Sequence, residues 1–214
     1  MNQQPALVRS PRPARRVSRL LGASVAALAL TFAASCSSTE APSSGSQAAA
    51  VPAADSQAGA ILGKLGLSGK DATQVIDALD QKTGERQRDV LASVRYDQLV
   101  LKDGATETKV PLPADKFYLS VAPYVDQTHD CFYHSLTTCQ GELAGKTVNV
   151  KITDASGKTL VDGPTSTYSN GFVGFWLPRD IKGTISVSYE GRSATAPIST
   201  GKEDPTCLST LKLV

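Results

Sequence analysis

Apolar positions divide the chain into two regimes. Between residues 57 and 93 they recur three and four apart: Ile61, Leu62, Leu65 and Leu67, a break at Ser68-Gly69, then Val75, Ile76 and Leu79, and later Val90 and Leu91. That spacing predicts short amphipathic helices. Asp71, with Gln74 three residues on, is placed to cap the second helix. Thr83-Gly84 is placed to end it, and residues 85–93 supply a short third helix.

From Val94 the period falls to two. Val94, Tyr96 and Leu99-Val100-Leu101 lead to a turn at Asp103-Gly104, and residues 106–110 return as the second arm of a hairpin. Strand-like runs follow at 117–125, 147–153, 158–162, 170–177, 184–189, 193–198 and 208–213, with turns at Asp154-Ala155-Ser156-Gly157 and Glu190-Gly191. Val148, Val150 and Ile152 alternate so that one face enters a core. Phe172, Phe175 and Trp176 are read as core or sheet-face aromatics. The expected class is α+β: a small helical unit at 57–93, then a mainly antiparallel, β-sandwich-like domain at 94–214.

The first 36 residues follow neither pattern. They carry Arg9, Arg12, Arg15, Arg16 and Arg19, no acid, and an apolar run at 20–34. That combination is expected to be a signal peptide, since the run is shorter than the ~20 residues a spanning helix needs. Ala33-Ala34-Ser35-Cys36 is similar to a bacterial lipobox without its usual Leu, and a Ser/Ala/Pro/Gly-rich tether follows at 37–56. Lipidation at Cys36 would anchor the exported chain to the outer face of the cytoplasmic membrane. The competing reading is an ordinary cleavage site with an incidental cysteine. Arg15-Arg16 is followed by Val17-Ser18-Arg19, which argues against twin-arginine export.

Cleavage changes the charge. It removes five of 22 basic residues and none of the 20 acidic ones, leaving 17 against 20 and a net −3 in place of +2. A mildly acidic domain without a basic run lacks the footprint of a nucleic-acid binder.

The chemistry concentrates between two predicted strands. Both histidines of the chain, His129 and His134, lie there with Cys131 and Cys139; Cys207 stands near the C-terminus. Thiolates select Cu(I) and zinc, and imidazole serves copper and zinc alike, so the cluster suits a soft metal. An extended His-x-Cys puts both side chains on one face, whereas one turn of helix would bring Cys131 and His134 together. The bland alternative is a disulfide in an oxidising compartment. Three cysteines are an odd number, however, so pairing leaves one thiol over. The histidines flanking Cys131 would favour its thiolate. Ser135, Thr137 and Thr138 beside His134 lack a Gly-x-Ser-x-Gly elbow and a separate base, which argues against a hydrolase.

The run 129–142, with its core Cys-x-x-His-Ser-Leu-Thr-Thr-Cys-x-Gly-Glu, resembles the CueP family of extracytoplasmic copper-resistance proteins. Residues 89–95, residues 172–178 and the late Cys207 share the likeness, which extends over about 57–214. The resemblance implies a helical N-terminal part, a β-rich C-terminal domain, and copper held by Cys131, Cys139 and Cys207 with His129 and His134 beside them. It also implies copper storage, reduction or delivery, and the capacity to form a homodimer. The anchor and tether depart from a freely soluble periplasmic protein and leave the copper client open.

Three functions compete on these grounds. The first is a binding protein that sequesters or delivers Cu(I), with zinc ranked below copper, in contact with a copper-accepting or thiol-redox partner. The second is thiol-coupled reduction of Cu(II) or disulfide exchange, although Cys-x-x-Cys and a thioredoxin-like βαβ pattern are missing. The third is a protein-interaction module whose cysteines are only staples.

Overall fold

The computed structural model describes residues 56–82 and 88–214. The expected signal peptide, Cys36 and the tether up to residue 55 lie outside the described residues, as do Thr83, Gly84 and the start of the expected third helix.

Two helices open the described chain, α1 at Ser56–Lys64 and α2 at Ala72–Asp80. Asp71 caps α2 through a capping box: its Oδ1 accepts from the Gln74 N–H at 2.9 Å, and the Gln74 side chain accepts from the Asp71 N–H at 3.1 Å. Ile61, Leu62, Val75, Ile76 and Leu79 form the buried stripe of this helical pair. No described helix is long and apolar enough to cross a membrane.

Ten strands follow: β1 Val90–Val94, β2 Gln98–Asp103, β3 Thr106–Pro111, β4 Lys116–Val121, β5 Thr147–Asp154, β6 Thr159–Ser166, β7 Val173–Pro178, β8 Lys182–Tyr189, β9 Arg192–Ser199 and β10 Cys207–Leu208. They make three sheets, ordered β1-β2-β3, β10-β4-β7 and β6-β5-β8-β9. Every pairing is antiparallel except that of β10 with β4. The α+β class expected from the sequence is the observed one.

One boundary is corrected. The described end of the expected third helix is strand β1, in which Val90, Ala92 and Val94 are buried while Leu91 is 44% exposed. Period two, not a helical period, governs there, because pairing with β2 turns alternate side chains to the core.

Strand β4 separates two cores. Phe117, Leu119 and Val121 face Val148, Val150 and Ile152 of β5 and Ile185 and Val187 of β8. Tyr118, on the opposite face, joins the helices and β1-β2 in the other core. A strand buried on both faces reads as a continuous apolar run, and β4 is Lys-Phe-Tyr-Leu-Ser-Val. Its one small polar residue, Ser120, points where a buried polar group awaits it.

Candidate metal centre

Residues 122–146, between β4 and β5, contain no strand or helix; turns at 136–138 and 144–145 and single bridges from Ser135 to Ser93 and from Tyr124 to Lys212 are their local order. The helical turn considered for Cys131 and His134 is not formed, since residues 129–134 carry no helix. The segment is fixed from outside. Strand β1 clamps it through Val94 N–H to His134 O at 2.9 Å and Leu136 N–H to Ala92 O at 2.8 Å. The chain just before β10 holds it from the other side: the Thr206 hydroxyl accepts from His134 N–H at 3.0 Å and donates to Val94 O at 2.9 Å.

Cys131 and Cys207 are joined as a disulfide across 76 residues. Cys139 Sγ lies 3.6 Å from Cys131 Sγ. The three sulfurs and one ring nitrogen of His134 all fall within 4.8 Å of one another. His134 and Cys207 are buried; Cys131 and Cys139 are half-buried and give the group its access from solvent. Phe172, fully buried, forms an apolar wall, with its ring 4.6 Å from that of His134. Beyond a core aromatic, it is the lining of the sulfur site.

His129 stands beside this group, outside the 4.8 Å set. Its Nε2 is buried without a hydrogen-bond partner among the described residues, and its backbone carbonyl accepts from the Ser209 hydroxyl at 2.7 Å.

The polar partner of His134 is a residue the motif does not contain. Asp80, the last residue of α2, is 0% exposed and takes His134 Nε2 on Oδ1 at 2.9 Å. Asn170 Nδ2 donates to the same oxygen at 2.7 Å. Tyr118 and Ser120 donate to Oδ2 at 2.7 and 3.3 Å. Asn170 is placed by a tight approach: Gly141 N–H bonds the Asn170 carbonyl at 2.6 Å, and a Cβ on Gly171 would overlap the Gly141 carbonyl.

Charge is distributed accordingly. Burial pushes the Asp80 carboxyl up, but the His134 charge and the hydrogen bonds from His134, Tyr118 and Asn170 outweigh it and hold it below the usual carboxylate range. Burial pushes His134 down, yet Asp80 and then Cys139 raise it to about 9. Cys139 is pushed up by burial and brought down to about 7 by His134, the Ser135 N–H and His129. At neutral pH the chain Asp80-His134-Cys139 therefore reads carboxylate, imidazolium, and a thiol about half ionised.

A metal ion about 2.3 Å from each thiolate separates opposed donors by up to ~4.6 Å, close to the spread of this set. The donors thus suit one soft ion once the disulfide is opened. With the disulfide closed, the third sulfur is placed next to it as an exchange partner.

Comparison with known proteins comes to the same region. The family model described as "Periplasmic copper-binding protein CueP" matches residues 74–212. A solved structure, "Crystal Structure of S.CueP", is 44% identical with a TM-score of 0.70, covering 73% of this chain and 96% of that one. No curated protein matches.

Proposed function

Because the chain belongs to the CueP family, we propose that it is an exported copper-binding protein that sequesters Cu(I) through Cys131, Cys139 and Cys207, with His134 as a nitrogen donor and His129 assisting. One observation carries this reading: three sulfurs and an imidazole nitrogen within 4.8 Å of each other, two of the four residues reachable from solvent. Soft sulfur donors favour Cu(I), and the imidazolium beside Cys139 favours the thiolate form that binds it. Zinc suits the same donors and is the competitor to measure alongside.

The test is competition for Cu(I) between the reduced chain, carrying Cys36→Ser, and a chromophoric chelator, with a Cys131/Cys139/Cys207 triple-Ser control. Capture by the first and not by the second is expected. Equal competition by both would remove the assignment.

A second reading is favoured by the disulfide itself. Two thiolates, Cys131 and Cys207, would each give up one electron to a Cu(II) ion, forming the disulfide and leaving two Cu(I) ions. Cys139, 3.6 Å from Cys131, would then be the thiol that reopens it by exchange with a thiol-redox partner. Counting thiols before and after Cu(II) addition separates binding, which leaves the count unchanged, from reduction, which lowers it by two.

We further propose that Cys36 carries the lipid and residues 37–55, up to the start of α1, form the tether, so that delivery to a copper-accepting partner takes place at the membrane face. Membrane partition of the wild type and its loss in Cys36→Ser test the anchor. The homodimer rests on the family likeness, and sedimentation of the oxidised and reduced chain tests it.

A further inference from the structure

Asp80 is an expensive residue to keep where it is. A buried carboxylate is costly even when paired, and well-packed apolar replacements of buried ion pairs are often neutral or stabilising. Its position adds to the cost, because the C-terminal end of a helix is negative and disfavours an anion. Four donors from β4, the residue before Gly171 and the cysteine-bearing loop nevertheless converge on it. Tyr118 is itself held in place: a Cβ on Gly174 would overlap its hydroxyl.

What such a carboxylate supplies is the choice between two nitrogens. A neutral imidazole carries one proton, and the nitrogen that bonds a carboxylate keeps it. Nε2 of His134 bonds Asp80 at 2.9 Å. Nδ1 is buried with no hydrogen-bond partner among the described residues, and His134 belongs to the sulfur group. The two ring nitrogens therefore face different tasks.

We infer that Asp80 is a positioning residue of the copper site: by accepting the Nε2 proton of His134 it assigns Nδ1 as the ligand nitrogen and fixes the ring toward the three sulfurs. This rests on the copper-binding reading above. Carboxylates behind metal-bound histidines act in this way generally, and their loss costs roughly 10- to 100-fold in affinity.

The test uses the full chain with Cys36→Ser and two substitutions, Asp80→Asn and His134→Gln, singly and together. Asparagine keeps the shape of Asp80 and can still bond Tyr118 and Ser120, so folding is retained; amide hydrogen exchange checks it. In the metal-free wild type, two-dimensional ¹⁵N spectra of the neutral ring, recorded above pH ~9, should show the proton on Nε2, and Asp80→Asn should weaken that preference. Asp80→Asn should weaken Cu(I) binding roughly 10- to 100-fold, and should cost nothing further once His134→Gln is present. A merely structural Asp80 would cost as much in both backgrounds, which would overturn the inference. A proton found on Nδ1 in the wild type, with copper still bound, would overturn it alone. Failure of the wild type to take Cu(I) would overturn the copper reading and the inference with it.

Discussion

Replacing His134 by Gln should make Cys139 a slower nucleophile at neutral pH and a faster one in base. With the disulfide closed and Cys36→Ser in place, Cys139 is the one thiol left to alkylate. With a pKa of about 7 it is about half thiolate at pH 7; at the ordinary 9.0 it would be about 1% ionised. That limit is a ~50-fold loss of thiolate. The gain in intrinsic reactivity opposes it, since a Brønsted coefficient of about 0.4–0.5 returns roughly tenfold for two units. The balance is about fivefold slower alkylation by iodoacetamide at pH 7 and up to about tenfold faster alkylation above pH 10. Ser135 N–H and His129 remain beside the sulfur, so the midpoint should move by about one to two units. The two rate-pH profiles must cross. Local unfolding would raise the rate at every pH, so a variant profile lying wholly above or below the wild type, or one with an unmoved midpoint, would refute the account of Cys139.

The same groups set how stability depends on pH. His134 is raised from 6.5 to about 9, so its contribution is complete below pH 6.5 and is lost by about pH 9; Cys139 is lowered from 9.0 to about 7, so its contribution grows over nearly the same window. The wild type should therefore hold a nearly constant denaturation midpoint from pH 7 to 9, while Cys139→Ser should lose up to about 2 kcal/mol across it, the remainder of the His134 shift having gone with the Cys139 sulfur; a flat curve in the variant would contradict the His134 assignment. Cys207→Ser removes a cross-link spanning 76 residues, worth up to about 4.5 kcal/mol by chain entropy. Cys131 and Cys139, eight apart and 3.6 Å between sulfurs, should then join and restore about 2.5 kcal/mol, with peptide mapping finding that new bridge; two thiols persisting under oxidising conditions would count against the exchange geometry. Gly171→Ala places a side chain at φ +80° and into the Gly141 carbonyl. It should cost at least about 2 kcal/mol in urea unfolding, and a loss below about 0.5 kcal/mol would show that the approach is not as tight as described.

The elements most legible in the sequence were those in which local chemistry and burial agree. Asp71 and Gln74 cap α2 as their spacing predicts. Glu190-Gly191 takes the two positive φ values, 48° and 79°, that a tight antiparallel connection requires. The reading failed at β1, where Val90 and Leu91 stand adjacent and Ala92 is a weak apolar mark. The real pattern, Val90, Ala92 and Val94 inward, is imposed by pairing with Leu101 and Leu99 of β2. It is reinforced by the cysteine loop on the other edge, through bonds to residues 40 to 45 positions away. Position along the chain likewise brought Cys131, Cys139 and both histidines into one region, while the choice of Cys131 and Cys207 as the bonded pair depends on β10 lying alongside β4, which no spacing records.

Asp80 shows why the support of a site is harder to read than its donors. Cysteine and histidine announce themselves by type, whereas aspartate is common on surfaces and the partners of Asp80 lie 38, 40, 54 and 90 residues along the chain. The signal in the sequence was a contradiction. Ala72, Val75, Ile76 and Leu79 define an apolar stripe on α2, and position 80 continues it four residues after Ile76. An acid there violates the stripe and, at the C-terminal end of the helix, the helix dipole as well. A residue that breaks two local rules at once requires partners elsewhere in the fold, and here those partners include the histidine of the sulfur group. The donor set suits a soft ion by chemistry alone; the buried carboxylate behind it is what distinguishes a built site from three cysteines that happen to be close.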